Sequence, residues 1–204
     1  MNGDNEQYFS KRRPFMSQTA ETLAVLDDRL RGLLRDYARR EPAHDALAAE
    51  FGTLLDDPED PFRRERLAGH FTASCWLVSA DGQRLLLTHH RKLQRWLQLG
   101  GHADGDRDLA QVALKEAEEE SGLSGLVLED PAIFDLDKHW IPERKDVPGH
   151  WHYDVRFVIR ALGGEAFVLS EESLELAWRP VTEVAADPES DESMQRMARR
   201  WLTR

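Results

Sequence analysis

Gly100-Gly101-His102-Ala103-Asp104-Gly105, followed by Lys115-Glu116-Ala117-Glu118-Glu119-Glu120-Ser121-Gly122-Leu123, constrains this chain more than any other stretch. A glycine turn runs into a helix whose apolar residues Leu109, Val112 and Ala113 recur at helical spacing and define an inward face. Continuing that period puts Glu116, Glu119 and Glu120 on the same azimuth. Three carboxylates aimed at the protein repel one another and are costly to bury without a positive partner. A hard divalent cation held through oxygen is the simplest remedy, and Mg²⁺ or Mn²⁺ suits an all-carboxylate site. The alternative is a solvated acidic face, against which the azimuth and the flanking glycines both argue.

The chain of 204 residues has room for one ordinary domain plus an extension. Residues 1–16 read as a polar lead-in, with Lys11-Arg12-Arg13 a solvated basic run. Residues 17–68 read as a helical extension: a helix over 17–40, stopped by Glu41-Pro42, a second over 43–55, and a turn-rich linker over 56–61. This hairpin is expected to serve packing or a dimer surface, with a lid over the active site as the lesser alternative. Residues 69–204 read as the main domain. Strands are expected over 71–79 and 84–90, joined at Asp81-Gly82, and a short strand over 96–99 enters the glycine turn. The acidic helix spans 108–121 with Gly122 as its cap. Further strands fall over 126–134, 150–161 and 176–180, and a terminal helix over 190–202. In 150–161, Tyr153, Val155, Phe157 and Ile159 alternate with His152, Asp154, Arg156 and Val158. The fold class is therefore α/β, a mixed sheet between helical layers, preceded by a helical hairpin.

Net charge of −11 disfavours nucleic-acid polymers and anionic membranes as partners. Cys75 is the only cysteine, so no disulfide forms within the chain. No apolar run reaches the length of a membrane span, and no signal-peptide core appears. A cytoplasmic location is expected.

The glycine turn and acidic helix resemble the Nudix box of the Nudix hydrolases. From Gly101, Arg107 follows after five residues and Lys115-Glu116 after seven more, with Glu119-Glu120 and Gly122-Leu123 in register. Two positions depart. The isolated glutamate of the box is Arg107, with Asp106 and Asp108 on either side, a position that has either drifted or acquired a role, and the box arginine is Lys115, which keeps the charge without arginine's planar fork. The resemblance implies a Nudix-like α/β/α sandwich and a metal-dependent hydrolase. Such enzymes cleave the pyrophosphate of a nucleoside diphosphate linked to another group, by attack of metal-activated water. It implies Glu116, Glu119, Glu120 and the backbone carbonyl of Gly100 as metal ligands, Glu119 and Glu120 as catalytic, and Lys115 as orienting Glu119. It also implies a further glutamate before the last core strand. Glu172 is the first choice and Glu175 the second, each with an ordinary surface role as the alternative.

His89, His90, His102, His139, His150 and His152 flank the box in sequence. His150 and His152 share a strand face at metal-ligand spacing, but such a pair alone is more often hydrogen-bonded than ligating, and the carboxylates favour magnesium over zinc. His102, just past the glycine turn, is expected to touch phosphate. Arg91, Lys92, Arg95, Lys138, Arg144 and Lys145 offer charge for a diphosphate, with ordinary surface roles as the alternative; Arg95 leads as a substrate contact. Trp96, Trp140, Trp151 and Tyr153 offer stacking, with core packing as the alternative; Trp140 and His152 are taken as substrate contacts. ADP-ribose hydrolases of the family carry a proline where Lys138 and His139 stand, and dinucleoside-polyphosphate hydrolases a tyrosine near Trp140 and Ile141. Nucleoside diphosphate sugars, including ADP-ribose, are the leading class. A triphosphate pyrophosphohydrolase and a non-catalytic nucleotide sensor remain as alternatives, and a homodimer is possible.

Overall fold

The computed structural model describes residues 20–91, 93–144, 147–169 and 173–204. Helix α1 (Ala20–Arg40) buries Leu30, Leu34 and Tyr37 along one stripe. Pro42–His44 forms a single 3₁₀ turn, because proline cannot continue α1. Helix α2 (Asp45–Leu55) then runs back, burying Ala48, Phe51, Leu54 and Leu55. Burial of Phe51, Leu54 and Leu55 stabilises the hairpin's docking by about 1.5–3 kcal/mol each.

Eight strands form one mixed sheet: β1 (His70–Val78), β2 (Arg84–His90), β3 (Arg95–Leu97), β4 (Gly100–His102), β5 (Leu126–Leu128), β6 (Asp135–Ile141), β7 (His150–Ala161) and β8 (Ser173–Pro180). The central pair, β1 and β7, is parallel, with His70 opposite His152 and Val78 opposite Arg160. The other pairings are antiparallel: β2 with β1, β3 and β8, β4 with β1, and β5 and β6 with β7. Between β1 and β2, Asp81 accepts hydrogen bonds from the Ser79 hydroxyl and the Gln83 amide, and Gly82 takes φ +72.

Strand alternation divides this sheet into two faces. One carries Phe71, Ala73, Cys75 and Leu77 of β1 with Tyr153, Val155, Phe157 and Ile159 of β7, and packs on α1, α2 and α3 (Leu109–Ser121). The other carries Trp76, Val78, Leu85, Leu87 and Val158, and packs on α4 (Val181–Ala186) and α5 (Glu192–Leu202). The fold is thus the expected α/β/α sandwich with a mixed sheet and preceding helices. No helix among the described residues is long and apolar enough to cross a membrane.

The expected 126–134 strand is a correction. Pairing stops at Leu128, and a separate strand, β6, occupies Asp135–Ile141. Neither side of Asp135-Leu136-Asp137-Lys138-His139-Trp140 reads as an apolar row, so the period-2 signal is hidden there. α4 also went unread; it is six residues long and follows Pro180. The terminal helix begins at Glu192, where Asp191 caps it by accepting from the Met194 amide at 2.8 Å.

The hairpin is pinned to the start of α3, away from the end that carries the glutamates. Arg107 donates to Asp27 at 2.8 and 2.9 Å and to Asp60 at 3.4 Å, and its guanidinium lies 4.6 Å from the Phe62 ring centre. Arg29 donates to Asp108 at 3.2 Å. Phe51 packs edge-on against Tyr153 at 5.2 Å. The hairpin therefore packs as part of the fold, and a lid over the glutamate end is not what it forms. Arg107, where the sequence leaves drift and an acquired role both open, ties three segments together. Arg107→Glu would set a third carboxylate among Asp27 and Asp60, so urea unfolding should show a loss on the order of 3 kcal/mol. A loss under half that size would show that the cluster is only surface chemistry.

Candidate active site

Strand β4 is the bridge between sheet and acidic helix. It pairs with β1 so that Gly100 faces Ser74, Gly101 faces Ala73 and His102 faces Thr72. A Cβ on Gly100 would lie 2.5 Å from the Ser74 hydroxyl and 2.6 Å from the Ala73 carbonyl oxygen; on Gly101 it would lie 2.6 Å from a Glu116 carboxylate oxygen. Gly100 meets backbone and demands glycine, whereas at Gly101 a side chain would have to push the Glu116 carboxylate aside. Helix α3 is capped by Asp108, which accepts from the Gln111 amide at 3.3 Å, and ends at Gly122 with φ +66. Ala113 and Ala117 are fully buried, which lets α3 lie close to β1.

Two of the three box glutamates point where the helical period puts them. Glu116 is 19% exposed against Gly101, and Glu120 accepts from the Gly100 amide at 3.3 Å. Glu119 departs from the expected inward azimuth: it is 61% exposed, on the side of Glu116 away from Glu120. Lys115, itself 64% exposed, sets its ammonium 3.7 Å from Glu116 and 3.4 Å from Glu119, so it balances two carboxylates at once. Arg64 forks onto Asp104 nearby. In an extended strand a residue's N–H and C=O leave on the same edge. The Gly100 carbonyl therefore leaves toward the edge where its amide meets Glu120. These donors are all oxygen, which is the chemistry of a hard cation such as Mg²⁺ or Mn²⁺.

His102 points to the other face. There, histidines cross four adjacent strands: His102 on β4, His70 on β1, His150 and His152 on β7, and His139 on β6. Ring centres of His102 and His152 are 5.0 Å apart, and those of His139 and His152 5.4 Å. Burial, then Arg64, lowers His102 to about 4; burial, then His102, lowers His152 to about 2. Both rings are therefore neutral near pH 7. Next along this face, Arg156 is 3% exposed among Asp154 at 2.7 Å, Asp137 at 3.2 Å and Asp135 at 3.4 Å. Burial alone would lower its pKa, but these carboxylates outweigh burial and hold it above its usual range. Burial alone would raise Asp137, yet the His139 hydrogen bond and Arg156 hold it below the usual carboxylate range. Asp154 also accepts from Thr72 at 2.9 Å and Ser74 at 2.8 Å, linking the cluster to the strand on which Gly100 rests.

Several residues expected as contacts lie apart from the histidine cluster. Trp140 is 51% exposed on β6, on the face opposite His139, and stacks edge-on with Trp151 at 5.3 Å. It is not brought together with His102 and His152, because neighbours in a strand face opposite ways. Arg95 lies on β3, beyond β2, and joins neither the glutamates nor the histidines. Glu175 is exposed on β8 opposite His89. Glu172 lies outside the described residues. His70 and the Arg156 cluster were missed. The Asp135/Asp137 and Asp154/Arg156 spacing, charges two apart in a strand, was the available signal.

A glycine-rich turn closed onto an acidic helix, within an α/β/α sandwich, defines a class of metal-dependent phosphoanhydride hydrolases. The NUDIX domain family model matches residues 69–201, and the chain belongs to the Nudix family of pyrophosphohydrolases. Similar solved structures include a NUDIX-family hydrolase from Clostridium perfringens, 20% identical over 66% of this chain and 96% of that one, TM-score 0.50. The MutT protein from Methanosarcina mazei Go1 is 18% identical over 68% and 96%, TM-score 0.51. A C. elegans Ap4A hydrolase in a binary complex is 16% identical over 65% and 95%, TM-score 0.50. At these identities the likeness is one of fold. No curated protein matches the chain.

Removing Arg156 would take from buried Asp154 its arginine partner, while Asp135 keeps Arg196 and Arg200 and Asp137 keeps Arg196. Arg156→Leu should therefore destabilise by about 3–5 kcal/mol in urea unfolding. A neutral or stabilising result would mean that Arg196 and Arg200 already balance the cluster as a whole.

Proposed function

We propose that this chain hydrolyses the pyrophosphate of a nucleoside diphosphate linked to another group, the sugar-nucleotide class, with Mg²⁺ or Mn²⁺ at Glu116, Glu119, Glu120 and the Gly100 carbonyl. The closure of Gly100 and Gly101 onto Glu120 and Glu116 carries this reading, since a helix glutamate packed on a bare strand backbone has little other purpose. When bound, the metal neutralises phosphate oxygens and acidifies a water. The chain's own part is to hold the carboxylates. Gly101 leaves room for Glu116, the Gly100 amide fixes Glu120, and Lys115 restrains Glu119 while leaving it at the surface, where substrate arrives. Glu119 and Glu120 are then the carboxylates placed to take the water's proton. By chain order Glu172 is a further candidate. The cleft partner is a small nucleotide, consistent with net charge of −11, which repels polymeric phosphate.

The choice of sugar nucleotides over triphosphates or dinucleotides rests on sequence alone. A turnover screen across those three classes with Mg²⁺ or Mn²⁺, with products identified by mass, tests it. The expected result is a nucleoside monophosphate and a sugar phosphate, with turnover lowered roughly a hundredfold or more in Glu120→Gln. Release of pyrophosphate from a triphosphate would replace the substrate class; binding without cleavage would replace the enzyme by a sensor.

Gly101→Ala separates site from scaffold. Its Cβ would meet only the tip of Glu116, so stability should change by about 1 kcal/mol or less, while turnover falls roughly a hundredfold. Unchanged turnover would show that Glu116 need not sit against the turn.

A further inference from the structure

We propose that His70, His150 and His152 form a second metal site, for a borderline divalent ion of the Zn²⁺ class, on the sheet face opposite the box helix. The inference stands independently of the substrate reading above.

Hydrogen-bond accounting points to it. The His70 Nδ1 meets the Arg66 carbonyl at 3.2 Å, and the His150 Nδ1 meets the Pro148 carbonyl at 2.8 Å. A carbonyl only accepts, so both Nδ1 atoms carry the proton and both Nε2 atoms present lone pairs. The His70 Nε2 is buried and has no hydrogen-bond partner. The His150 Nε2 sits 3.2 Å from the His152 Nε2. The three rings offer one ligand atom apiece, all within 4.8 Å of one another. A proton shared between His150 and His152 can satisfy that pair, but it leaves His70 unmet. A buried, unmet nitrogen costs stability unless something occupies the space in front of it.

A cation satisfies all three at once. Nitrogen ligands at about 2.0–2.1 Å from a tetrahedral ion lie about 3.3 Å apart, which the His150–His152 pair already matches. Modest ring rotation brings in the third. Imidazole donors select Zn²⁺, Co²⁺, Ni²⁺ or Cu²⁺ over Mg²⁺. The second shell is of the expected kind, with the far ring nitrogen of two ligands held by a backbone carbonyl. One of these carbonyls belongs to Arg66, which is itself fixed by donating to Gly69 at 2.5 Å and Asp57 at 2.7 Å. Three histidines leave a fourth position, bordered by His102 at 5.2 Å from His70 and 5.0 Å from His152, ring to ring. Neighbouring residues of one strand thus serve two chemistries: Gly101 faces the carboxylates and His102 the imidazoles.

The test is a Co²⁺ titration of the tag-free full chain after chelator treatment, read from visible ligand-field bands, with Zn²⁺ competing against a chromophoric chelator. With excess Mg²⁺ present to occupy the box carboxylates, one Co²⁺ per chain with intense, low-coordinate bands, displaced by Zn²⁺, is the expected result. His150→Ala and His152→Asn should each weaken binding roughly a hundredfold, and Glu120→Gln should leave it unchanged. A wild-type readout guards against variants that fail to fold: on Zn²⁺ addition the Nε2 ¹⁵N resonances of His70, His150 and His152 should shift together. No binding under excess Mg²⁺, loss in Glu120→Gln, or unmoved imidazole resonances would each overturn the site.

Discussion

The approach of bare backbone on β4 to β1 and α3 is the constraint on which the rest depends. Gly100 lies where any side chain would strike the Ala73 carbonyl and Ser74, and Gly101 where any side chain would strike Glu116. Gly100 lets β4 lie against β1, and Gly101 leaves the Glu116 carboxylate its place against the turn. The helix meets the same demand from its side, with Ala113 and Ala117 fully buried at the contact. Close packing and carboxylate placement are therefore one requirement, met by small residues on both partners.

The second constraint is electrostatic. Arg156 is buried among Asp154, Asp137 and Asp135, with Arg196 and Arg200 also on Asp135. A buried ion cluster of this kind contributes little net stability against an apolar core, but it does not tolerate a missing member. Its value lies in registration. It joins β6, β7 and, through Thr72 and Ser74, β1, and it receives Ser193 from α5. Tyr37 of α1 reaches the same Asp135, so even the preceding hairpin reports to this cluster. Burial, then Asp135, pushes the Tyr37 hydroxyl up to about 12, which keeps it a neutral donor there.

What was legible in the sequence followed local rules. The box helix with its cap, the Asp81-Gly82 turn and the alternation of β7 each depend on residues close together in the chain. What was not legible depended on partners far away. β6 failed the apolar alternation test because Asp135 and Asp137 face a buried arginine more than a dozen residues on and His139 packs with Asp137 and His152. His70 is far from the other histidines in sequence, and only parallel pairing sets it beside His152. Arg107 stands where the box has its isolated glutamate, and it is an arginine because Asp27 and Asp60 arrive from the preceding helices. Glu119 shows the limit of period arguments. A step of three residues along a helix rotates far enough from Glu116 to leave one carboxylate in water while Glu120 stays in.

That rotation bears on how such a site handles charge. Three equally buried carboxylates would need full neutralisation before any cation arrived. With Glu119 at the surface and Lys115 straddling Glu119 and Glu116, the resting site carries part of its balance from its own chain. Across the sheet the opposite arrangement holds: His70, His102 and His152 have lowered pKa values with burial as the first cause, so these imidazoles add no charge of their own beside Arg64 and Arg156. One strand, β4, separates the two by simple alternation, so carboxylates and imidazoles stand back to back on its two faces.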